Sequence, residues 1–341
     1  MSLKSTSSPL FPPSSNQPMK WLITGGCGFL GTSLIKQLVA DGGHAIRVID
    51  NLSVGTREDL AAVCDFQEMS ASRLGAPTGP VQLIIGDILD EHLADQVADG
   101  VDVIVHFAAN TGVGPSVENP RMDCLNNVIG TFNYLEAARH NKVKRFVFAS
   151  SGAPVGECEP PIHEEKVPHP VSPYGASKLA GEAYCSSYFR TFGIETVALR
   201  FGNVYGPGSG HKNSVVAKFI KQALKGETLE IYGDGSQTRD FIYIDDLVRA
   251  VQCAATKSNV GGEIFQIATN SETSVSELLD IMIAAFAVRG IAKPAVIYTE
   301  QRLGDVKRNY SDTSKARTVL DWRAQVPLSE GLRKTLATFI E

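Results

Sequence analysis

The chain of 341 residues is long enough for one large domain or two smaller ones, and its 43% hydrophobic content is ordinary for a protein with a buried core. The net charge of -5, with acidic and basic residues intermixed, argues against a nucleic-acid-binding surface. No apolar run approaches the roughly 18 residues needed to cross a bilayer, so we expect no membrane span. The six cysteines lack paired spacing, which argues against a disulfide scaffold or a metal site and favours free thiols in a reducing cytoplasm.

The first 18 residues are rich in serine and proline and contain no apolar segment, so we expect a disordered leader rather than a signal peptide. From Met19 onward, short apolar runs alternate with segments of helical spacing. The apolar runs predict strands at 20–24, 45–50, 81–86, 101–107, 145–150 and 195–201, and the helical spacing predicts helices at 32–41, 126–140 and 174–192. This alternation is typical of an α/β fold with a doubly wound parallel sheet and helices on both faces.

The pattern changes after about residue 200. A glycine-rich segment at 203–210 and a loop at 233–235 interrupt it, and helices are predicted at 215–225, 275–286 and 328–340. No polar linker separates the halves, so we expect the chain to cross between them more than once. We therefore divide it into a sheet domain at 19–202, with a returning segment near 237–260, and a smaller α/β lobe at 203–341 over the carboxyl edge of the sheet, where such folds bind ligands.

A glycine-rich motif, TGGCGFLG, follows the first predicted strand and opens the first helix. Gly25, Gly28 and Gly31 would leave space for a pyrophosphate at the helix N-terminus, whose N–H groups and dipole favour an anion. Asp50 ends the second strand roughly 20 residues later, where its carboxylate could bind both adenosine ribose hydroxyls and repel a 2′-phosphate. Asn51 rather than arginine follows it, so the motif predicts a Rossmann-type site that prefers NAD to NADP.

Other residues of this motif and of the next strand ends complete the predicted cofactor site. The residues after the strand at 81–86 could reach the adenine, and small side chains after the strand at 101–107 would let the backbone approach the diphosphate. The candidate contacts from these segments are Phe29, Leu30, Asp87, Ile88, Phe107, Ala108 and Ala109.

Tyr174 and Lys178, in the sequence YGASK, lie one helical turn apart and therefore on the same helix face. A lysine charge can stabilise a phenolate and lower a tyrosine pKa from about 10 toward neutrality, as a general base at cellular pH requires. Ser151 follows the strand at 145–150, and its hydroxyl could hydrogen-bond the same substrate oxygen as Tyr174. Beside a nicotinamide, these three side chains would allow a proton and a hydride to leave a substrate together.

Ten sequence motifs now stand in order along about residues 19–325: TGGCGFLG, IDNLSVG, GDI, HFAAN, NNVIGT, FASSG, YGASK, LRFGNVYGPG, IYGDGSQTRDFIYIDD and RLGDVKRNYSDTSKA. The chain resembles the extended short-chain dehydrogenases/reductases of the nucleotide-sugar epimerase/dehydratase group, and it is most similar to UDP-hexose 4-epimerases. The resemblance implies tightly bound NAD, a UDP-sugar substrate, and catalysis by Ser151, Tyr174 and Lys178, with Asn127 supporting the cofactor pocket. It also implies a homodimer formed through the helices at 126–140 and 174–192.

The resemblance further implies substrate contacts in the second lobe, at Asn203, Arg239, Arg302, Asp305 and Asn309. The two arginines could clamp a diphosphate bidentately, and Asp305 could hold the uridine ribose. Asn309 takes the place of a bulky tyrosine that restricts N-acetyl substrates, and its smaller side chain would make room at C2 of the sugar. UDP-GlcNAc and UDP-GalNAc are therefore candidate substrates beside UDP-glucose and UDP-galactose.

Relatives of this group run different reactions from one 4-keto intermediate. Dehydratases carry an acid pair directly after the strand-end Ser or Thr, and decarboxylases carry a glutamate there, whereas this chain has Gly152 and Ala153. Uronate epimerases usually place an arginine seven residues beyond the Asn203 position, and this chain has Gly210. Epimerisation at C4 needs no further acid or base, so the sequence favours a 4-epimerase of UDP-glucose and UDP-galactose or of the N-acetyl pair.

Two other interpretations stay open. One is another NAD-dependent nucleotide-sugar enzyme of the group: a 2-epimerase, a uronate epimerase, or a reductase, which net consumption or release of NADH would identify. The other is a catalytically idle NAD-binding regulator, against which the intact Ser151, Tyr174 and Lys178 argue.

Overall fold

The computed structural model of the protein describes residues 18–75, 77, 81–211, 214–300 and 307–340. In chain order the strands are β1 Lys20–Thr24, β2 Ala45–Asp50, β3 Phe66–Glu68, β4 Val81–Ile85, β5 Val103–His106, β6 Arg145–Ser151, β7 Glu195–Phe201, β8 Asn203–Tyr205, β9 Leu229–Tyr232, β10 Thr238–Arg239, β11 Phe241–Tyr243, β12 Glu263–Ile267, β13 Thr273–Ser274 and β14 Val296–Thr299. The α-helices are α1 Phe29–Asp41, α2 Arg57–Ala61, α3 Glu91–Ala98, α4 Val113–Glu118, α5 Pro120–Cys124, α6 Gly130–His140, α7 Pro173–Phe192, α8 Val215–Leu224, α9 Ile244–Thr256, α10 Val275–Val288 and α11 Leu328–Ile340.

The central sheet has eight parallel strands in the order β12-β7-β6-β5-β1-β2-β4-β3. The chain winds outward from β1 in both directions, so the strand order reverses between β1 and β5. In open α/β sheets the ligand crevice lies at the carboxyl ends of the strands at such a reversal. The predicted doubly wound α/β fold is confirmed.

Helices cover both faces of this sheet, and the alternation of side chains along β1 shows why. Ile23 belongs to the hydrophobic core on one face, whereas Leu22 belongs to the core on the other face, and both side chains are fully buried. Strands buried on both faces require the nearly continuous apolar runs that the sequence contains.

The strand predictions at 20–24, 45–50 and 195–201 match β1, β2 and β7. Helix α1 begins at Phe29, three residues before the predicted start, because the glycine motif itself forms the first turn. The predicted helix at 126–140 has two parts, a π-helical turn over Leu125–Ile129 and then α6. A π-helical turn contains one residue more than an α-helical turn, and the spacing of apolar residues does not reveal this extra residue.

The chain returns to the sheet after the second lobe has begun. Helix α9 packs against α1, and β12 pairs in parallel with β7 from Glu263 to Ile267. The returning segment thus extends beyond the expected 237–260. The sequence does not predict β12, because only its last three residues are fully buried and its apolar run is therefore short.

A buried carboxylate joins the pieces of the second lobe that face the crevice. Asp240 is 1% exposed and accepts hydrogen bonds from the backbone N–H groups of Thr269, Asn270 and Ser311 at 2.8, 3.0 and 3.3 Å. These hydrogen bonds fix Asp240, the residue after Arg239, to the segments that contain Thr269 and Ser311. Ser311 lies two residues after Asn309, so both Arg239 and Asn309, two of the predicted substrate contacts, are next to this junction. None of the described helices combines the length and the apolar character that a membrane span needs.

Candidate active site

The glycine motif forms a tight turn between β1 and α1. Gly25 has a φ of +67°, and a Cβ atom at this position would lie 2.9 Å from the backbone of Ala108. A Cβ at Gly31 would lie 2.4 Å from the Cα atom of Gly26, so the protein's own packing requires both glycines. A Cβ at Gly28 would meet only a carbonyl oxygen at 3.3 Å, so this glycine keeps space open above the turn. Its role fits a ligand that approaches the backbone closely.

The N-terminus of α1 faces this open space. Gly28 is the N-cap residue and provides no side-chain cap, and the first turn carries no acidic residue. The first N–H groups of a helix lack partners within the helix and carry partial positive charge, so an uncapped turn of this kind attracts a phosphate group. Phe29 and Leu30, both predicted contacts, form this turn.

Asp50 lies at the end of β2 beside the turn. Its carboxylate is 8% exposed and accepts hydrogen bonds from the N–H groups of Cys27 and Leu52 at 2.9 and 2.8 Å. Burial raises its pKa, and the two backbone hydrogen bonds act in the opposite direction. The neighbouring Asn51 donates to the carboxylate of Asp87 at 3.0 Å, so two acidic groups line this part of the crevice. They fit the ribose of NAD and oppose the 2′-phosphate of NADP.

The predicted contacts after β4 and β5 also lie at the carboxyl edge. Ala108, between Phe107 and Ala109, donates its N–H to the hydroxyl of Thr24 at 3.1 Å, and this hydroxyl lies 2.9 Å from Nδ1 of His106. Burial lowers the pKa of His106 to about 3, so its ring is neutral. Ile88 packs against α6, where Asn133 donates to its carbonyl at 3.0 Å. These hydrogen bonds fix the backbone at the carboxyl edge, where the sequence predicts the dinucleotide.

Tyr174 and Lys178 lie together at the start of α7. Ser172 caps this helix by accepting the N–H of Gly175 at 3.1 Å, which places Tyr174 in the first turn. The Nζ atom of Lys178 donates to the carbonyl of Ala149 in β6 at 2.9 Å and lies 5.9 Å from the centre of the Tyr174 ring. Ser151, at the end of β6, lies beside the phenol of Tyr174 and lowers its pKa. The structure therefore brings the three predicted catalytic side chains together.

The two ionisable groups of this trio are shifted by burial in opposite directions. Burial raises the pKa of Tyr174 to about 12, the hydrogen bond from Ser151 lowers it, and the charge of Asp123 raises it further. Burial lowers the pKa of Lys178 to about 8, against the raising effect of Asp123 and Glu182. In the protein without its cofactor, loss of hydration of the phenolate thus outweighs the effect of Ser151 on the pKa of Tyr174.

Asn127, predicted to support the cofactor pocket, occupies the π-helical turn. Its side chain makes two hydrogen bonds with the backbone of Asn110: the N–H of Asn110 donates to Oδ1 at 2.8 Å, and Nδ2 donates to the carbonyl at 2.9 Å. Nδ2 also reaches Asp123 at 2.8 Å and the hydroxyl of Ser177 at 3.2 Å. Asn127 thus connects the loop after β5 with α5 and α7.

A buried ion pair beneath the trio was missed from the sequence. Glu182 and Arg200, each 2% exposed, form a bidentate pair at 2.8 and 2.7 Å, and Ser150 donates to the same carboxylate at 2.5 Å. The signal was present, because Glu182 follows Lys178 by four residues and Tyr174 by eight and so shares their helix face.

A cavity of about 250 Å³ in the second lobe contains two of the predicted substrate contacts, Asn203 and Arg239. Polar side chains that the sequence did not single out, among them Lys218, Glu230 and Tyr232, line it as well. Asn309 lies close to this cavity, because its N–H donates at 3.3 Å to the hydroxyl of Thr238, the residue before Arg239. The predicted contacts Arg302 and Asp305 lie outside the described residues.

The site therefore combines an uncapped helix N-terminus, a buried carboxylate at the end of β2 and a Ser-Tyr-Lys group at one sheet edge. In the part of the chain that the structure describes, no three His, Cys, Asp or Glu side chains are grouped as metal ligands would be. Such a site can hold a nicotinamide dinucleotide and move a proton and a hydride at one carbon, which defines a short-chain dehydrogenase/reductase.

Comparisons with known proteins narrow this class. The sequence profile of the NAD dependent epimerase/dehydratase family matches residues 21–268, and the chain belongs to that family. A putative UDP-glucose 4-epimerase of Methanocaldococcus jannaschii is 37% identical over 320 residues, which cover 92% of this chain and 96% of the relative. The UDP-glucose 4-epimerase of Mycolicibacterium smegmatis is 36% identical and covers 94% of this chain and 98% of its own.

Among solved structures, the UDP-glucose 4-epimerase of Thermotoga maritima with UDP-glucose superposes with a TM-score of 0.84. It is 34% identical, and the match covers 94% of this chain and 99% of that one. The likeness extends through both lobes, so the second lobe belongs to the shared architecture as well.

We expect Asp50→Ala to weaken NAD binding by roughly 10- to 100-fold, because charge-assisted hydrogen bonds to the ribose are lost. Preference for NAD over NADP should shrink in the same variant, since the carboxylate that repels the 2′-phosphate is removed. Titration calorimetry with both dinucleotides, on folded protein freed of bound cofactor, measures this. Asp65→Ala, an exposed carboxylate outside the crevice, serves as the control and should bind like the wild type. Unchanged NAD affinity of a folded Asp50→Ala variant would contradict the assignment.

Proposed function

We propose that this protein is an NAD-dependent nucleotide-sugar 4-epimerase that interconverts UDP-glucose and UDP-galactose, with the N-acetyl pair as further substrates. The observation that carries the proposal is the grouping of Ser151, Tyr174 and Lys178 at the carboxyl edge of the sheet, beside the glycine turn. The family membership and the likeness to the UDP-glucose 4-epimerases of Mycolicibacterium smegmatis and Thermotoga maritima support it.

In this proposal Tyr174 accepts the proton of the sugar 4-hydroxyl, and Ser151 hydrogen-bonds the same oxygen. Bound NAD supplies the acceptor for the hydride at C4 and a positive charge that favours the phenolate. Lys178 adds a second positive charge at 5.9 Å from the Tyr174 ring and is held in place by the carbonyl of Ala149. The 4-keto sugar would then turn within the site, and Tyr174 would return the proton to the 4-oxygen when the opposite face of C4 is reduced by the bound cofactor.

The residues around Ser151 favour epimerisation over elimination of water. Gly152 and Ala153 begin a short 3-10 turn directly after β6, and neither carries the acid that a dehydratase needs there. The buried Glu182 is engaged by Arg200 and Ser150 and cannot supply that acid. A uronate epimerase is disfavoured by Gly210, which leaves no guanidinium for the sugar carboxylate at this position.

We place the nucleotide of the substrate in the 250 Å³ cavity of the second lobe. Arg239 lines this cavity and would bind the diphosphate together with Arg302, while Asn203 would bind the adjoining oxygen atoms and Asp305 the uridine ribose. Asn309 would leave room for an N-acetyl group at C2 of the sugar.

The test is NMR spectroscopy of the purified protein with UDP-glucose, UDP-galactose, UDP-GlcNAc and UDP-GalNAc, without added NAD. We expect both pairs to interconvert with no net formation of NADH. Tyr174→Phe should lower turnover by roughly a hundred- to ten-thousandfold, because the general base is lost, while NAD stays bound.

Three outcomes would revise the proposal. Net oxidation or reduction of the cofactor would identify a dehydrogenase or reductase. Good turnover of UDP-glucose with none of the N-acetyl sugars would reject the role given to Asn309. Full activity of Tyr174→Phe would reject the mechanism.

We propose that the protein forms a homodimer and that it is located in the cytoplasm. An apolar surface on α5, the following π-turn and α7 supports it, with Met122, Leu125, Ile129, Tyr184 and Phe192 all between 39% and 50% exposed. Rings from α6 and α7 contact each other on this surface, with centroids 5.5 Å apart for Phe132 and Tyr184. A patch of this kind is usually covered by a partner, and a second copy would bury it by twofold symmetry.

Light scattering coupled to size exclusion tests the dimer. The wild type should have a mass of twice 36.6 kDa, and Tyr184→Glu should shift it to the monomer because a charge would be buried in the interface. Val288→Glu is the matched control, since Val288 is 77% exposed on α10 and outside the apolar surface. A monomeric wild type, or a dimer that tolerates Tyr184→Glu, would exclude this interface.

A further inference from the structure

Asp123 is a buried carboxylate that the mechanism above does not use. It lies in α5 and is 1% exposed. In the described part of the chain, no lysine, arginine or histidine nitrogen lies within ion-pair distance of it, and its hydrogen bond comes from Nδ2 of Asn127 at 2.8 Å. Burying an unpaired carboxylate costs free energy, so a neighbouring positive charge must compensate for it.

The carboxylate of Asp123 and the backbone of Asn110 require the same orientation of the Asn127 amide. An ionised carboxylate only accepts hydrogen bonds, so the amide must turn its Nδ2 atom toward Asp123. Oδ1 then faces the N–H of Asn110 at 2.8 Å, and Nδ2 also lies 3.2 Å from the hydroxyl of Ser177. Ser177 in turn donates to the carbonyl of Tyr174 at 3.1 Å. Asp123 is thus linked by hydrogen bonds to the first turn of α7.

The buried charges around Lys178 balance only when Asp123 is counted. Lys178 and Arg200 carry positive charges, and Glu182 carries a negative charge that Arg200 engages at 2.8 and 2.7 Å. All three are at most 3% exposed. Without Asp123 this cluster would have one uncompensated positive charge, and with Asp123 the sum is zero.

We propose that Asp123 is a positioning residue of the reaction: its carboxylate helps to hold Asn127 against α7 and offsets the positive charge of Lys178 while Tyr174 is protonated. This inference rests on the proposed function, because it concerns the same Tyr174 and Lys178.

The other ionisable groups near Asp123 do not take over this role. From α7 the groups are Tyr174 and Lys178, and behind them lie the Glu182–Arg200 pair and the neutral His106. Helix α4 contributes Glu118, which is exposed, and the π-turn over Leu125–Ile129 carries no ionisable side chain. Arg121 of α5 is also exposed.

The direction in which Asp123 shifts the pKa values of Tyr174 and Lys178 follows from its negative charge. A carboxylate disfavours the phenolate and favours the ammonium, so Asp123 raises the pKa of both Tyr174 and Lys178. Removing the charge therefore lowers both pKa values. In a bell-shaped dependence of kcat/KM on pH, the limb set by Tyr174 and the limb set by Lys178 both move toward lower pH.

The isosteric variant Asp123→Asn tests this effect. We expect both limbs of the kcat/KM profile to move to lower pH, by on the order of one unit, and kcat to fall at least about tenfold with little change in KM. Asp65→Asn, an exposed carboxylate, is the matched control and should keep the wild-type profile. A profile that stays in place, or limbs that move to higher pH, would overturn the proposal even if activity is lost.

Two further measurements keep the test independent of folding and of the proposed function. Asp123→Glu keeps the charge but displaces it, so its limbs should stay at the wild-type pH while kcat falls. The titration of Tyr174 by ultraviolet absorbance, as the difference from Tyr174→Phe, needs no substrate. It should move to lower pH in Asp123→Asn, and an unchanged titration would refute the charge effect even if the protein proved not to be an epimerase.

Discussion

The contact between the end of β6 and the first three turns of α7 is the interaction on which the site depends. Three consecutive strand residues each face one residue of the helix: the Ala149 carbonyl accepts from Lys178 at 2.9 Å, Ser150 donates to Glu182 at 2.5 Å, and Ser151 lies beside the phenol of Tyr174. The close approach is possible because of Gly181, where a Cβ would lie 2.3 Å from the Phe148 ring. The strand therefore sets the position of the base and of its counter-charge together.

The second lobe shares a continuous hydrophobic core with one face of the sheet. Within that lobe, Asp240 joins the backbone at 269–270 and at Ser311 to the segment that contains Arg239. The loop containing Gly208 meets the Phe29 ring, where a Cβ on the glycine would lie 3.5 Å from the ring edge. A sugar held by the second lobe is thereby brought over the same sheet edge as the dinucleotide, which places C4 of the sugar between Tyr174 and the nicotinamide in the proposed mechanism.

The sheet and most of its crossover helices could be predicted, because each strand or helix has its own local pattern of apolar residues. The glycine motif could be predicted because the spacing of its glycines reflects the backbone geometry of the turn. β12 was missed because its apolar run is short, and the π-turn because an inserted residue leaves no period to detect. The electrostatics of the site were the least predictable. Asp123 acts on Tyr174 from a different helix, and the burial that raises the phenol pKa exists only in the folded chain. Sequence spacing indicated a base but not the state of its proton.

The central claim is that hydrogen leaves C4 of the sugar as a hydride and returns from the same cofactor. The direct measurement uses UDP-galactose carrying deuterium at C4, the protein with its bound NAD and ordinary water, with mass spectrometry and NMR of the UDP-glucose formed. The proposed mechanism requires the deuterium to remain at C4, because a hydride held on the dinucleotide does not exchange with solvent. Replacement of the deuterium by solvent hydrogen would show that C4 loses a proton instead, and would contradict the assignment of Tyr174 and the nicotinamide as partners in one transfer.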